Sequence, residues 1–468
     1  MKYTKIIALI LALIMCLPIC VSATENVTDV AVVNGCRSLD AAMTYLGTKS
    51  ITENVGSAIV YETNSDTLMY SLDADAKVYP SSLVKILTAL IAIEKGNLQD
   101  VITVTQDVLD TVPYYAASAE LVADEKISLS DLLYCMMVGS ANDAAAVIAT
   151  HISGSQNAFV KDMNAYANAV GCTSTQFVNV HGLHDDEQYT TTRDMARVLA
   201  KAVENDDFLT YFSAIHYNVP ATNKSEIREL SSGNFLMNID NMQIYQDARV
   251  KGGRTGTTED GARCLASLAE QDSMRLICIV MGSESTFADN GSTLTYGSFK
   301  ETSALLDAAF DGYKVAQVLY EDQVLQQCQV LNGKNDVILG ALSSVRSVLP
   351  ADISISDLSY RFKSDISQLS APITSGEIIS KVEVWYGSLC VGQSELVAMN
   401  TVDTASVLQP DENAANSKAQ GDYTAVIIIS IVVGAVFLFG LLRYSGKIRA
   451  YFTAKHNNRY RRNRRRSR

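Results

Sequence analysis

Between Asp422 and Arg443 the chain carries no charged residue, and the 20 residues Tyr423–Leu442 are rich in Ile, Val, Leu and Phe. Wound as an α-helix at 1.5 Å per residue, that run spans roughly 30 Å, the thickness of a bilayer core. A buried core helix is the alternative, but a domain helix is rarely apolar on every face. A transmembrane helix over 423–442 is therefore expected. The 26 residues after it carry 11 Lys/Arg and no Asp or Glu, which fits a cytoplasmic tail drawn to anionic headgroups better than a nucleic-acid arm. At the other end Lys2 and Lys5 precede the apolar run Ile6–Leu17, and Val21-Ser22-Ala23 places small residues before a cut after Ala23. That is the layout of a secretory signal peptide over 1–23. An uncleaved anchor is the lesser reading, and a lipoprotein signal is weaker because Ile19 precedes Cys20. The expected product is an exported body held on the membrane, with that body outside the cytoplasm and the basic tail inside.

Charge narrows what that body binds. Setting aside Lys2, Lys5 and the 11 tail cations leaves 25 of the 38 Lys/Arg against 51 Asp/Glu, a net charge near −26. Nucleic acid is excluded as its ligand on electrostatic grounds. Of nine cysteines, Cys16 and Cys20 fall in the signal. The remaining seven are scattered, without CxxC or CxxH spacing, so no metal site, no cofactor and no full disulfide framework is expected. Mostly buried thiols are.

About 400 residues separate the signal from the apolar span, room for two domains. After a lead-in over 24–49, Gly56–Tyr61 and Thr67–Ser71 flank Glu62-Thr-Asn-Ser-Asp66 and read as a β-hairpin. Leu83, Ile86, Leu87, Leu90 and Ile91 recur at helical spacing, with Gly96-Asn97 as a stop. Helical patterns continue through Leu129–Ile152, Gln156–Val170 and Thr192–Glu204. Cys264–Ala269 and Arg275–Gly282 then read as two buried strands joined by Glu270–Ser273. This order predicts an α/β (α+β) domain over 50–317, an antiparallel sheet packed against helices. From 318 to 408 short runs of Val, Ile, Ser and Thr predict a small all-β domain. Residues 409–422, QPDENAANSKAQGD, read as a flexible linker.

Three short motifs carry chemistry. In Tyr79-Pro-Ser-Ser-Leu-Val-Lys-Ile-Leu-Thr88, Ser82 and Lys85 share one face of a helix's first turn. There an amine whose pKa is lowered by burial and nearby cations can take the hydroxyl proton, although Ser82 could equally be an N-cap. In Met137–Ala146, polar Ser140 and Asn142 interrupt an apolar helical region, so each needs a partner or marks a simple turn. Val250-Lys-Gly-Gly-Arg-Thr-Gly-Thr-Thr258 puts a cation, a hydroxyl and a residue without side chain at Arg254, Thr255 and Gly256. A substrate backbone could lie alongside such a strand. Alone, each reads as easily as ordinary surface structure. Their order is the informative part: S-x-x-K, then S-x-N 58 residues later, then a T-G box ahead of two closing strands.

With its flanks, this set resembles the low-molecular-weight penicillin-binding proteins that act as D-alanyl-D-alanine carboxypeptidases. The flanks are Ser82-Leu-Val-Lys-Ile-Leu-Thr, Ser140-Ala-Asn-Asp-Ala, Phe159-Val-Lys-Asp-Met-Asn164, His181-Gly-Leu183 and Pro220-Ala-Thr-Asn-Lys224. The resemblance covers about residues 52–315, and the segment beyond, with Ala371-Pro-Ile-Thr-Ser-Gly-Glu377, resembles that family's all-β second domain. It implies a penicillin-binding/β-lactamase-like transpeptidase fold. It implies Ser82 as the nucleophile on a peptidoglycan stem peptide, Lys85 as general base, Ser140 as proton relay and Asn142 as a holder of Lys85 or the substrate amide. Backbone N–H groups of Ser82 and Thr257 are implied as an oxyanion hole, Arg254 and Thr255 as the grip on the terminal carboxylate, and β-lactam antibiotics as covalent inhibitors.

Two positions depart from the family's pattern: Ala141 stands for its usual Gly, and Arg254 for its usual Lys. A guanidinium suits carboxylate pairing but stays protonated, so it cannot relay protons. Two rivals follow, a penicillin- or peptidoglycan-binding protein without turnover, and a serine β-lactamase. The latter would need an E-x-x-L-N-like segment between Asn142 and Arg254, which is missing.

Overall fold

A computed structural model describes residues 55–238, 242–287 and 294–405. The signal segment, the lead-in, the linker, the apolar span Tyr423–Leu442 and the basic tail lie outside the described residues. Among those described, no helix is long and apolar enough to cross a membrane.

One five-stranded antiparallel sheet organises the first domain. Its strands are β1 (Ser57–Glu62), β2 (Thr67–Leu72), β3 (Val250–Thr257), β4 (Arg263–Gln271) and β5 (Met274–Ser283), in the spatial order β2-β1-β5-β4-β3. The expected hairpin is β1–β2, with Ala58 opposite Leu72. The two closing strands are β4 and β5, paired through Gln271 and Met274. Both faces of the sheet are buried. Ile59, Tyr61, Ile277 and Ile279 belong to one core cluster, while their neighbours Ala58, Val60, Leu276, Cys278 and Val280 belong to another. That is why Leu276–Met281 reads as a continuous apolar run rather than an alternation.

The first face meets a layer of helices: α1 (Val84–Lys95), α2 (Leu129–Met137), α3 (Asn142–Ser153), α4 (Gln156–Ala169), α5 (Thr192–Ala202) and α6 (Asp206–Phe212). Every residue of α1 from Val84 to Ile93 is buried, so this helix runs through the middle of the layer. Gly96 ends it with a backbone N–H to Ala92 and leaves no room for a Cβ, which would come within 2.7 Å of the Ala92 carbonyl. The opposite face is covered by α7 (Gly297–Gly312), whose Leu305, Leu306 and Ala309 are fully buried.

The change of character expected at 318 comes at Tyr313, where β6 (Tyr313–Leu319) leaves α7 with no intervening loop. A single glycine, Gly312, marks the junction: it ends α7 and the strand starts at the next residue. β6 pairs with β9 (Val345–Pro350). A second antiparallel sheet follows the order β7-β8-β12-β11-β10, from β7 (Val324–Cys328), β8 (Val337–Ala341), β10 (Ser359–Phe362), β11 (Ile378–Tyr386) and β12 (Leu389–Ala398). Val318, Leu319, Val337, Leu339, Val382, Val384 and Leu396 give this all-β part its own core. Among the described residues no disulfide joins the six cysteines; five are buried, and Cys390 is half-buried. Burial pushes the Cys135, Cys172 and Cys278 thiols up to about 12.

Candidate active site

Three separate elements meet at one end of α1. Ser82 sits in the single 3₁₀ turn Ser81–Leu83 that leads into α1, and Lys85 lies one turn on. Ser140 and Asn142 come from the α2–α3 corner, and Arg254 to Thr257 from β3. The corner is sharp because Ser140 takes a left-handed backbone (φ 61°), and Ser81 does the same (φ 50°). For residues with a Cβ that conformation costs of order 1–3 kcal/mol each, held in place by the surrounding structure.

The polar contacts are short and continuous. Lys85 Nζ lies 3.2 Å from Ser82 Oγ and donates to Asn142 Oδ1 at 2.7 Å and to the His181 carbonyl at 2.5 Å. Ser82 Oγ and Ser140 Oγ are 3.4 Å apart. Asn142 Nδ2 donates to the Ala117 carbonyl at 3.0 Å, which fixes its amide with the oxygen toward the lysine. Asp143, next along, holds the same segment: it accepts from Ser118 Oγ at 2.6 Å and from the backbone N–H groups of Ala119 and Leu121.

Lys85 is fully buried, and its amine titrates well below the ordinary lysine range. Burial is the first cause, Arg254's charge the second; Asp143 opposes both. A lysine stripped of water and facing a cation surrenders its proton more readily than a solvated one, which suits it to act as a base. His181, also buried, is pushed down to about 3 by burial and then by Lys85's charge, so its ring is neutral.

Arg254 lies behind the serines. Its Nη2 donates to Ser140 Oγ at 2.5 Å, Nη1 to the Met137 carbonyl at 3.0 Å and Nε to the Ser82 carbonyl at 3.4 Å. Burial lowers it to about 10, still protonated at neutral pH. Gly256 crosses directly beneath the nucleophile turn; a Cβ there would come within 2.5 Å of Ser81 Oγ and 3.2 Å of Ser82 N. Ser81 Oγ donates to the Thr257 carbonyl at 3.0 Å, and the Ser82 N–H, expected as an oxyanion donor, lies 2.5 Å from that same hydroxyl.

Of the eight sequence-predicted residues, Ser82, Lys85, Ser140, Asn142, Arg254 and Gly256 come together on the helical side of the sheet, while alternation along β3 turns the half-buried Thr255 and the exposed Thr257 to its other face. Sequence reasoning did not assign the His181 carbonyl, the Ala117–Leu121 segment, Gly182 or Arg263. Gly182 has φ 84°, and a Cβ on it would fall 1.9 Å from the Ser81 carbonyl oxygen. The His181-Gly-Leu183 triplet was the available signal, but its partner is a hundred residues away.

Comparison with known proteins agrees with the geometry. The profile of the D-alanyl-D-alanine carboxypeptidase family matches residues 47–285, and that of the penicillin-binding protein 5 C-terminal domain matches 313–404. The chain is 27% identical over 359 residues to D-alanyl-D-alanine carboxypeptidase DacA of Haemophilus influenzae, covering 75% of this chain and 85% of that protein. It is 29% identical over 340 residues to DacC of Escherichia coli, covering 71% and 80%. Among solved structures, penicillin-binding protein 5 of Haemophilus influenzae superimposes with a TM-score of 0.61 at 27% identity, over 75% of this chain and 98% of that one. With a nucleophile turn, a buried amine and a T-G strand edge assembled as that family requires, the chain belongs to the D-alanyl-D-alanine carboxypeptidases, a serine-type family, and carries their all-β C-terminal domain.

Proposed function

We propose that the protein is a serine-type carboxypeptidase that removes the terminal D-alanine from peptidoglycan stem pentapeptides and is acylated by penicillin at Ser82. The observation that carries the assignment of roles is the unbroken chain Asn142–Lys85–Ser82–Ser140–Arg254, every link at 3.4 Å or less. Neutral Lys85 takes the Ser82 proton as Oγ attacks the D-alanyl carbonyl. The C–N bond breaks when the Ser140 hydroxyl hands its proton to the departing amine, and Lys85 returns a proton to Ser140. Water, deprotonated by Lys85, then opens the ester and restores Ser82. Because Arg254 only donates, Ser140 must accept from it, which leaves the Ser140 hydrogen directed at Ser82 or at the leaving amine.

The test is D-alanine release from a pentapeptide together with labelling by a fluorescent penicillin. Ser82→Ala is expected to abolish both. Labelling without release would leave a penicillin-binding protein without turnover; labelling that survives in Ser82→Ala would end the assignment.

We further infer that Tyr423–Leu442 anchors the protein in the cell membrane, with the body extracytoplasmic and the basic tail cytoplasmic. The support is the uncharged 20-residue span, the cation-rich tail and the acidic body. Full-length protein should resist alkaline extraction from membranes, and a chain ending at 408 should be released in active form. Extraction of the full-length protein by alkali would refute the anchor.

A further inference from the structure

Arg254 cannot be the main grip on a substrate carboxylate. All three of its guanidinium nitrogens donate to protein oxygens, it is 4% exposed, and it faces the helical side of the sheet. Its neighbour Thr255 points the other way, as alternation along a strand requires. There Thr255 lines a cavity of ≈ 180 Å³ with Arg263, Cys264, Phe235, Tyr296 and Phe299. Arg263 reaches it through the register of β3 with β4, which sets Thr257 opposite Arg263. Its guanidinium lies 5.0 Å above the Tyr296 ring and donates from Nη1 to Thr257 Oγ1 at 3.0 Å. Among the described residues its buried Nε has no hydrogen-bond acceptor and no carboxylate forms an ion pair with it. A buried N–H left unpaired costs about 1–3 kcal/mol, and the fork of Nε and Nη groups matches the two oxygens of a carboxylate.

We propose that Arg263, together with the Thr255 hydroxyl, is the binding site for the terminal carboxylate of the stem peptide, and that Arg254 serves the serines instead. The flat aromatic wall of Tyr296 holds the guanidinium in plane while β3 presents the hydroxyl beside it. Arg263 is then the residue that makes the enzyme a carboxypeptidase rather than a cutter of internal bonds. The assignment rests on the carboxypeptidase reading.

It is tested with two substrates, a pentapeptide ending in a free carboxylate and the same peptide ending in an amide. Wild type should prefer the acid. Arg263→Gln is expected to lower kcat/KM for the acid by about 10- to 100-fold, as for loss of a hydrogen bond to a charged group, and to leave the amide nearly unchanged. Arg263→Lys should recover part of the preference, and Thr255→Val should lose part of it with Arg263 intact. Equal falls for acid and amide would assign Arg263 a structural role and overturn the proposal, as would an unaltered rate with the acid. Wild-type protein that neither labels with penicillin nor releases D-alanine would overturn the carboxypeptidase reading, an outcome distinct from loss of the acid-over-amide preference.

Discussion

At the scale of single residues, the exchange of lysine for arginine at 254 is where this chain differs most from its family's pattern. The buried guanidinium does two things: it orients Ser140 by donation, and its charge lowers the Lys85 pKa, second to burial. The second effect has a sign that can be measured. Arg254 lowers the Lys85 pKa, so removing its charge lets that pKa rise, and activity that needs the neutral amine must begin at higher pH. The acidic limb of kcat/KM against pH is therefore expected to move upward in Arg254→Gln. It should stay near its wild-type position in Arg254→Lys, where the charge remains. A limb that fails to move in the glutamine variant would show that burial alone tunes Lys85. Residue identity at the site was legible in the sequence because Ser82, Lys85, Ser140 and Asn142 are separated by spacings that few arrangements share. Arg263 was not, because an arginine beside a cysteine on a strand carries no local mark; only the β3–β4 register brings it opposite Thr257.

At the scale of elements, the site is a junction of three pieces held by backbone contacts that side-chain spacing does not encode. The β1–β2 hairpin, α1 and the closing strands β4 and β5 could be read from periodicity and turn residues. Helix α7 and the hairpin of His216–Val219 with Arg228–Ser231 could not, the latter being short and largely polar. That hairpin is nevertheless tied down. Arg228 pairs with Glu125, which is fully buried, at 2.7 and 2.8 Å. Removing one partner of such a pair strands a charge, so Arg228→Ala should lower stability by about 3–5 kcal/mol in denaturant titrations. A loss below about 1 kcal/mol would mean that water enters freely and the pair is structurally idle. The 181–183 segment makes a sharper case. Gly182→Ala must push its new Cβ away from the Ser81 carbonyl, and the nucleophile turn has to move with it. Since displacements near 1 Å cost about 100-fold in rate, penicillin acylation should fall by at least that factor while the fold persists. Acylation at the wild-type rate would show that the turn accommodates the methyl group.

At the scale of the whole molecule, β3 is the outermost strand of its sheet among the described residues, and its free side is where a peptide or a β-lactam can lie as an added strand. The same open row of N–H and C=O groups is a hazard during thermal stress, because exposed edges pair with one another and seed aggregates. Three features blunt it: the glycines at 252, 253 and 256 lower strand propensity, Lys251 projects a charge, and the acidic body repels its copies. An antibiotic that acylates the serine therefore supplies a capping strand as well as an obstruction. Inhibited enzyme should scatter less light on heating than free enzyme, so the drug that stops the reaction would also act as a chaperone for the protein that it inactivates.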